Sequence, residues 1–429
     1  MFCLIDGSRF YASASTVMHP QYRDKPVLVA SGADGISIAA SRACSDNGIP
    51  KFSPIFQVKD KLALHGGVVF KANFNTLGHL SHRMMKSILV NIGSELPHYQ
   101  YSVDEMFIDV SKLKTMGVDL GAHLYHVRKR VYQETRVGTG GGIGRTLTLA
   151  KVASFAGKKL SGYKGQCIMD TIVHENEVLK QMPVGEVWNV GRKLTEHFKH
   201  KGITTAHHLK LCDPDKMRKE FSVNVSNTIY ELNGLPVLNF SDKQPAKKQM
   251  FSTGSYRERI KSPEHLGALL SNHGVEVCKK AREQGSDIRE LIIFTATSPY
   301  EKCTPFSRSI CHSFEPPTSD TAIVLSAIRE SLSSLIPNNP LQQPLYKIGV
   351  GATKLTSNEM KQYDMFNVSK DNPKLMSAVD CLNMRFGKGA IKFGSQTLNA
   401  NQSALGNVEI IELANYLTNI REIPIIKCK

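Results

Sequence analysis

Leu77, Leu80, Met84 and Ile88 recur at the spacing of one helix face, and Leu120, Leu124, Val127 and Val131 repeat that pattern further along. FCLI (2–5) is a short apolar run ending at Asp6, which predicts a buried strand. After a break at Pro97 come two β-type runs, YQYSV and MFIDV, with only Asp104 and Glu105 at their junction. That arrangement predicts a tight hairpin. GTGGGIG (138–144) predicts a glycine-rich last strand leading into the helix TLAKVASFAGKK. The succession βαββαβ is the ferredoxin-like pattern and sets the fold class as α+β. Residues 20–72, with their own strand-like runs PVLVA and GVVFKA, form an insertion between the first strand and the first helix.

This topology has a chemical consequence. A right-handed crossover makes the second strand parallel to the first, and the hairpin then reverses direction. Its turn falls at the C-terminal end of the first strand, so Asp6 lands beside Asp104 and Glu105. Three carboxylates in one place repel and raise one another's pKa values. Hard divalent cations remove that cost: magnesium takes a few carboxylate oxygens plus water and substrate phosphates. Two such ions about 4 Å apart activate an attacking hydroxyl and stabilise a leaving pyrophosphate. For the Asp104–Glu105 pair alone, an exposed acidic turn is the plainer reading. The arrival of Asp6 favours the metal site.

Length and charge widen the picture. A chain of 429 residues suggests two to four domains. Its net charge of +16 points to a polyanionic partner, nucleic acid first and an anionic membrane second. No apolar run reaches the length of a signal peptide or a membrane span, so a cytoplasmic protein without a membrane partner is expected. Nine scattered cysteines without a C-x-x-C pair argue against a disulfide framework or a structural zinc site. GTGGGIG lacks the G-K-[ST] ending of a phosphate-binding loop and reads as a strand permitting close backbone packing.

DGSRFYAS (6–13), SVDEMF (102–107) and GIGRTLTLAKVASFAGKK (142–159) resemble the motifs of the Y-family, translesion DNA polymerases. From residue 1 to nearly 400 the chain resembles the UmuC-like branch of that family, the catalytic subunit of SOS polymerase V. The resemblance implies a right-hand polymerase. Its parts are a palm (1–19 and 73–165), inserted fingers (20–72), a thumb (166–240), a little finger (241–355) and a C-terminal tail (356–429). It implies error-prone, templated nucleotidyl transfer from dNTP to a primer 3′-hydroxyl on damaged template-primer DNA, in the SOS response. It further implies two Mg2+ ions, with Mn2+ as a substitute, held by Asp6, Asp104, Glu105 and the Gly7 carbonyl. Phe10 and Tyr11 match the aromatics on the incoming nucleotide, Tyr11 as the gate against a ribose 2′-hydroxyl. The alternative is ordinary core aromatics, since neighbours point opposite ways near a strand end. Lys158 matches a lysine on the triphosphate, although a solvated lysine near a helix C-terminus is also favourable.

Five positions depart from the pattern, among them Asn189 in the segment 181–210. Ser45, in SIAASRACSDNGIP, stands where an Arg or Lys grips the triphosphate, with Arg42 one turn earlier as a substitute. Gly7 replaces a bulkier residue, Leu147 a common lysine, and Gly254 a frequent arginine.

QMPVGEVWNVGRKLTEHFKHKGITTAHHLK (181–210) resembles a helix-hairpin-helix, with turns at Val190–Gly191 and Gly202 and Lys193 between them. Such turns aim backbone N–H groups at phosphate without reading bases. A plain helical bundle is the alternative, and Asn189 takes the place of the usual first glycine. The linker SDKQPAKKQ (241–249) reads as a basic strap or a solvated loop. Beyond it, four strand-like runs alternate with helical stretches at 263–284 and 319–335. Arg257, Arg259, Arg308 and Lys347 are candidate phosphate contacts or plain surface charges. KQYDMFN, with Gln362, Asp364, Met365 and Phe366, resembles a peptide that docks on the β sliding clamp. Residues 372–396 resemble the UmuC-type tail, implying a UmuD′-like dimer and RecA as partners, or else a structural cap.

The rivals are a catalytically silent relative binding DNA and clamp, a ferredoxin-fold nucleotide cyclase, and a DNA-binding scaffold. Silent relatives lose the metal acids. A cyclase has no use for the helix-hairpin-helix, the basic sheet domain or the clamp peptide, and a scaffold leaves the carboxylate cluster without a purpose.

Overall fold

A computed structural model describes residues 1–31, 35–239, 246–360, 371–387, 389–396 and 410–413. They fall into two compact units, one built from residues up to 239 together with 410–413, the other from 246–396. The first is nucleated by β1 (Phe2–Gly7), whose apolar run is buried on both faces. The insertion that follows contributes β2 (Val27–Ala30), β3 (Ser37–Ala40) and β4 (Val68–Lys71). The chain then returns with β5 (His98–Gln100), β6 (Glu105–Asp109), β7 (Thr139–Gly144) and β8 (Gln166–Ile168).

The main sheet has the order β5-β6-β1-β7-β8, and β1 is antiparallel to both of its neighbours. Helices Phe74–Ile92 and Leu120–Thr135 cover one face. Leu77, Leu80, Met84 and Ile88 from the first and Leu124, Val127 and Val131 from the second pack on Cys3, Ile5, Met106 and Ile108. These are the positions that the sequence periodicity picks out. Helix Leu147–Lys159 lies against the other face, and the glycines of β7 set how closely. A Cβ at Gly142 would fall 2.1 Å from the Ser154 nitrogen, so no side chain fits there. Leu147, where a lysine was expected, is buried beside Leu4, Phe107 and Ala150. A charge at this position would be desolvated without a partner.

The hairpin differs from its predicted form. Four residues, 101–104, separate β5 from β6, and Glu105 opens the second strand instead of sitting in the turn. The Ser102 hydroxyl donates to Asp104 Oδ1 at 2.6 Å and accepts from the Asp104 N–H at 3.2 Å. Such local side-chain bonds offer the backbone an alternative to the ladder. Below the sheet, helices from Ile172 to Leu232 pack around Val178, Leu179, Phe198, Leu209, Ile229 and Leu232. Two buried acids stitch this bundle to the sheet. Glu175 takes both bonds of the Arg145 guanidinium at 2.7–2.8 Å, and Glu231 accepts from the backbone N–H groups of Thr148, Val237 and Leu238.

The second unit holds β9 (Met250–Ile260), β10 (Ser286–Thr297), β11 (Ser307–Thr318) and β12 (Leu345–Ser357), in the antiparallel order β11-β10-β12-β9. Helices Pro263–Glu283 and Thr321–Leu335 cover it, close to the predicted stretches. Helix Pro373–Phe386 is tied down by a two-pronged Arg282–Asp380 pair at 2.7 and 2.9 Å. A last strand, β13 (Ile410–Glu412), belongs to the first unit, where it extends the inserted sheet to β13-β4-β2-β3. It pairs parallel to β4, Glu412 meets Lys71 at 2.7 Å, and Leu413 is buried in the main core.

Among the described residues no cysteine is bonded to another. Burial pushes the Cys3 and Cys278 thiols up to about 12, so both are inert packing groups. No described helix is long and apolar enough to cross a membrane.

Candidate active site

The register of the sheet assembles the acids. Asp6, at the C-terminal end of β1, is the ladder partner of Glu105, and the Gly7 N–H donates to the Asp104 carbonyl at 2.7 Å. Asp6 is 9% exposed. Burial raises its carboxyl to about 6, the negative charges of Glu105 and Asp104 push the same way, and the Lys158 ammonium opposes them. Lys158 Nζ is 2.6 Å from Asp6 Oδ1. Glu105 is held in the same manner, with both carboxylate oxygens 3.0 Å from Lys151 Nζ. Two lysines of one helix thus neutralise two of the three acids. Lys151 was not singled out from the sequence, although it closes the quoted T-L-A-K run.

Among the described residues no group of three or more His, Cys, Asp or Glu side chains is arranged as a coordination set. The donors nonetheless suit magnesium, which binds through one or two carboxylates and completes its shell with water and substrate phosphates. The raised Asp6 carboxyl and the two lysine counter-charges mark this as a place where negative charge is expensive and cations are welcome.

The aromatics open the short helix Phe10–Ser15 beyond the end of β1, so helix geometry and not strand alternation separates them. Phe10 is buried in the core, whereas Tyr11 is half-buried and stands edge-on to Phe74 at 6.1 Å. Burial, then the nearby Asp104 carboxylate, holds the Tyr11 hydroxyl above its ordinary pKa. Tyr11 therefore borders the acids. Gly7 leaves room that Met84 fills, since a Cβ there would come within 3.2 Å of Met84 Cε.

Arg42 and Ser45 lie on the short helix Arg42–Asp46. The Arg42 side chain is 88% exposed and faces Asp46 at 3.8 Å. Ser45 is exposed and accepts the Gly48 N–H through its carbonyl. Arg9, also missed from the sequence, takes a left-handed backbone and donates to the Ala40 and Ser41 carbonyls at 3.0 and 3.1 Å. It joins the segment after Asp6 to the start of that helix.

A second group lies in the helical bundle. Asn189 has φ +69°, the left-handed region where Asn is the best substitute for Gly. That accounts for its replacing the usual glycine. Val190 is buried, Gly191 caps helix Arg192–His200, Lys193 is exposed, and Gly202 turns with φ +76°.

In the second unit Arg259 is already committed. It donates to Glu301 and to the Tyr256 carbonyl, each at 2.8 Å, and lies over the Tyr346 ring. Arg308 and Lys347 are exposed, and only the backbone of Arg257, on β9, is described. At Gly254 a Cβ would meet the Tyr256 ring at 2.8 Å and His273 Nε2 at 3.1 Å, which explains the missing arginine. Gln362, Asp364, Met365 and Phe366 lie outside the described residues.

The fold is that of a Y-family DNA polymerase: a Y-family DNA polymerase chimera, Dbh-Dpo4(243-245)-Dbh, superposes with a TM-score of 0.64 at 16% identity, over 83% of this chain and 99% of that one. The family model described as impB/mucB/samB matches residues 5–155, and that of its C-terminal domain matches 247–365. Protein UmuC of Salmonella typhimurium strain LT2 is 30% identical over 93% of this chain and 94% of its own length. Protein ImpB of Salmonella typhimurium is 31% identical over 92% and 93%, and DNA polymerase IV 2 of Bacillus subtilis strain 168 is 24% identical over 93% and 95%. The chain belongs to the impB/mucB/samB family, as its resemblance to the UmuC-like branch led one to expect.

Proposed function

We infer that this protein is a DNA-directed DNA polymerase that extends primers across damaged template. The observation that carries this reading is the meeting of Asp6, Asp104 and Glu105 at one end of the β1–β6 ladder, bordered by Tyr11 and Lys158. In this reading residues 1–19 and 73–165 form the palm, 20–72 the fingers, 166–240 the thumb and 241–355 the little finger.

Asp6, Asp104 and Glu105, with the Gly7 carbonyl, would hold the divalent ions. Bound there, two Mg2+ ions supply Lewis-acid stabilisation of the attacking and leaving oxygens. The chain's own residues do the rest. Lys158, on Asp6 in the free protein, would be the cation that meets a triphosphate. Tyr11 closes the space beside Asp104 that a ribose 2′-hydroxyl needs. The Asn189–Val190–Gly191 turn presents its N–H groups to the primer-template backbone. Arg42 is free to swing toward phosphate in place of the serine at 45. The tail, a β sliding clamp, a UmuD′-like dimer and RecA complete the proposed assembly.

Primer extension on an abasic template tests the reading. Asp104→Asn and Glu105→Gln should each lower incorporation by about a hundredfold or more, the scale of losing metal-held charge stabilisation. Equal incorporation by wild type and both variants sinks it. No incorporation with any combination of clamp, UmuD′ and RecA favours a silent DNA-binding relative.

A further inference from the structure

Lys151 is held twice over. Its ammonium contacts both oxygens of Glu105 at 3.0 Å and also lies 4.5 Å from the Tyr101 ring, 5.2 Å from Trp188 and 5.8 Å from Phe107. The three rings form a box. Trp188 stands edge-on to Tyr101 at 5.5 Å, lies 6.0 Å from Phe107, and donates its Nε1–H to the Tyr101 hydroxyl at 3.2 Å. Lys151 and Glu105 are 16% and 19% exposed, so water shields their attraction little. A cation over aromatic faces is stabilised with no carboxylate present, most strongly over Trp. The same ammonium therefore keeps its ring contacts when the carboxylate is taken from it.

We propose that Lys151 is a positioning residue that holds Glu105 and yields it to a divalent ion by settling wholly on the Tyr101, Trp188 and Phe107 rings that it already touches. An ion on Glu105 takes the acceptor oxygens and repels the ammonium, and the box keeps that displaced charge close instead of expelling it to solvent. Trp188 directly precedes the Asn189–Val190–Gly191 turn and helix Arg192–His200. Arrival of the ion at the sheet is thereby felt at a turn in the helical bundle. This inference rests on the metal site proposed above.

Trp188 is the only tryptophan of the chain, so its fluorescence reports on the box alone. The full-length protein is titrated with Mg2+ while Trp188 emission is read, and with Mn2+ while free ion is counted by electron paramagnetic resonance. The wild-type emission should shift and saturate as the site fills. Lys151→Met should bind Mn2+ about tenfold more tightly, the scale of removing one competing charge-assisted hydrogen bond. Its Trp188 emission should ignore Mg2+, and Lys151→Arg, which keeps the charge, should return affinity to the wild-type value. Lys151→Gln serves as the second variant if circular dichroism shows the methionine variant unfolded. Unchanged or weaker Mn2+ binding by the neutral variants overturns the proposal, as does flat wild-type emission while ions bind. Glu105→Gln separates the two levels. If it and Asp6→Asn bind Mn2+ like wild type, the metal site itself is wrong. If they lose binding while Lys151→Met is unaltered, only the role of Lys151 fails.

Discussion

Tyr11 owes its place to the short helix Phe10–Ser15 that follows β1: its neighbour Phe10 goes into the core, and the tyrosine is left half-buried beside Asp104. Replacing it with alanine opens the space next to the acids while leaving the core ring untouched. Tyr11→Ala should lower the preference for dNTP over rNTP by about a hundredfold, measured as the ratio of single-nucleotide insertion efficiencies. Arg145 illustrates a residue whose loss damages the fold instead. Its partner Glu175 is fully buried, so Arg145→Ala strands a charge, and unfolding in urea should show a loss of about 3–5 kcal/mol. Lys210, whose ammonium lies near Glu175, can return only part of that. At this scale Asp6, Asp104 and Glu105 were legible because strand order alone brings them together. The lysines that neutralise Asp6 and Glu105 were less so. Lys158 stood out only by resemblance, and Lys151 not at all, because its contact spans 46 positions and depends on how a helix is rotated over the sheet.

Elements show how packing distance is written into side-chain size. Helix Leu147–Lys159 sits on β7 only because Gly142 carries no side chain, and a methyl group there would collide with helix backbone, which cannot turn aside. Gly142→Ala should cost about 3 kcal/mol and lower the melting temperature, and it should also disturb Lys151 and Lys158 on the same helix. The inserted sheet carries a pH dependence of its own. The His19 ring lies 5.3 Å from Phe70, and burial lowers its pKa below 6.5. The unfolded chain therefore takes up a proton at a higher pH than the folded one. Stability is full above about pH 7 and falls as the pH drops through 6.5 toward the lowered folded value. Melts at pH values from about 7.5 down to 5.5 should show this slope, reduced in His19→Gln. The helices here were readable from their periodic faces. The hairpin was misjudged by a few residues because Ser102 and Asp104 bond each other locally, which no count of apolar positions reveals.

For the whole molecule, a net charge of +16 named the class of partner without locating its contacts. Arg259 turned out to be paired with Glu301, and only the fold distinguishes such a committed arginine from a free one. β13 was beyond sequence reading altogether, since three residues carry no periodicity and acquire their conformation from the edge they join. That edge has a consequence for how the protein is made. Lys71 waits for Glu412, 341 positions later, so during synthesis the outer rim of β4 stands bare until β13 has been made. Bare strand rims invite pairing with other chains. A chain ending after residue 396 should clump at concentrations where the full protein stays clear, as light scattering would report. Loss of β13 would thus turn a paired strand of the inserted sheet into an adhesive rim.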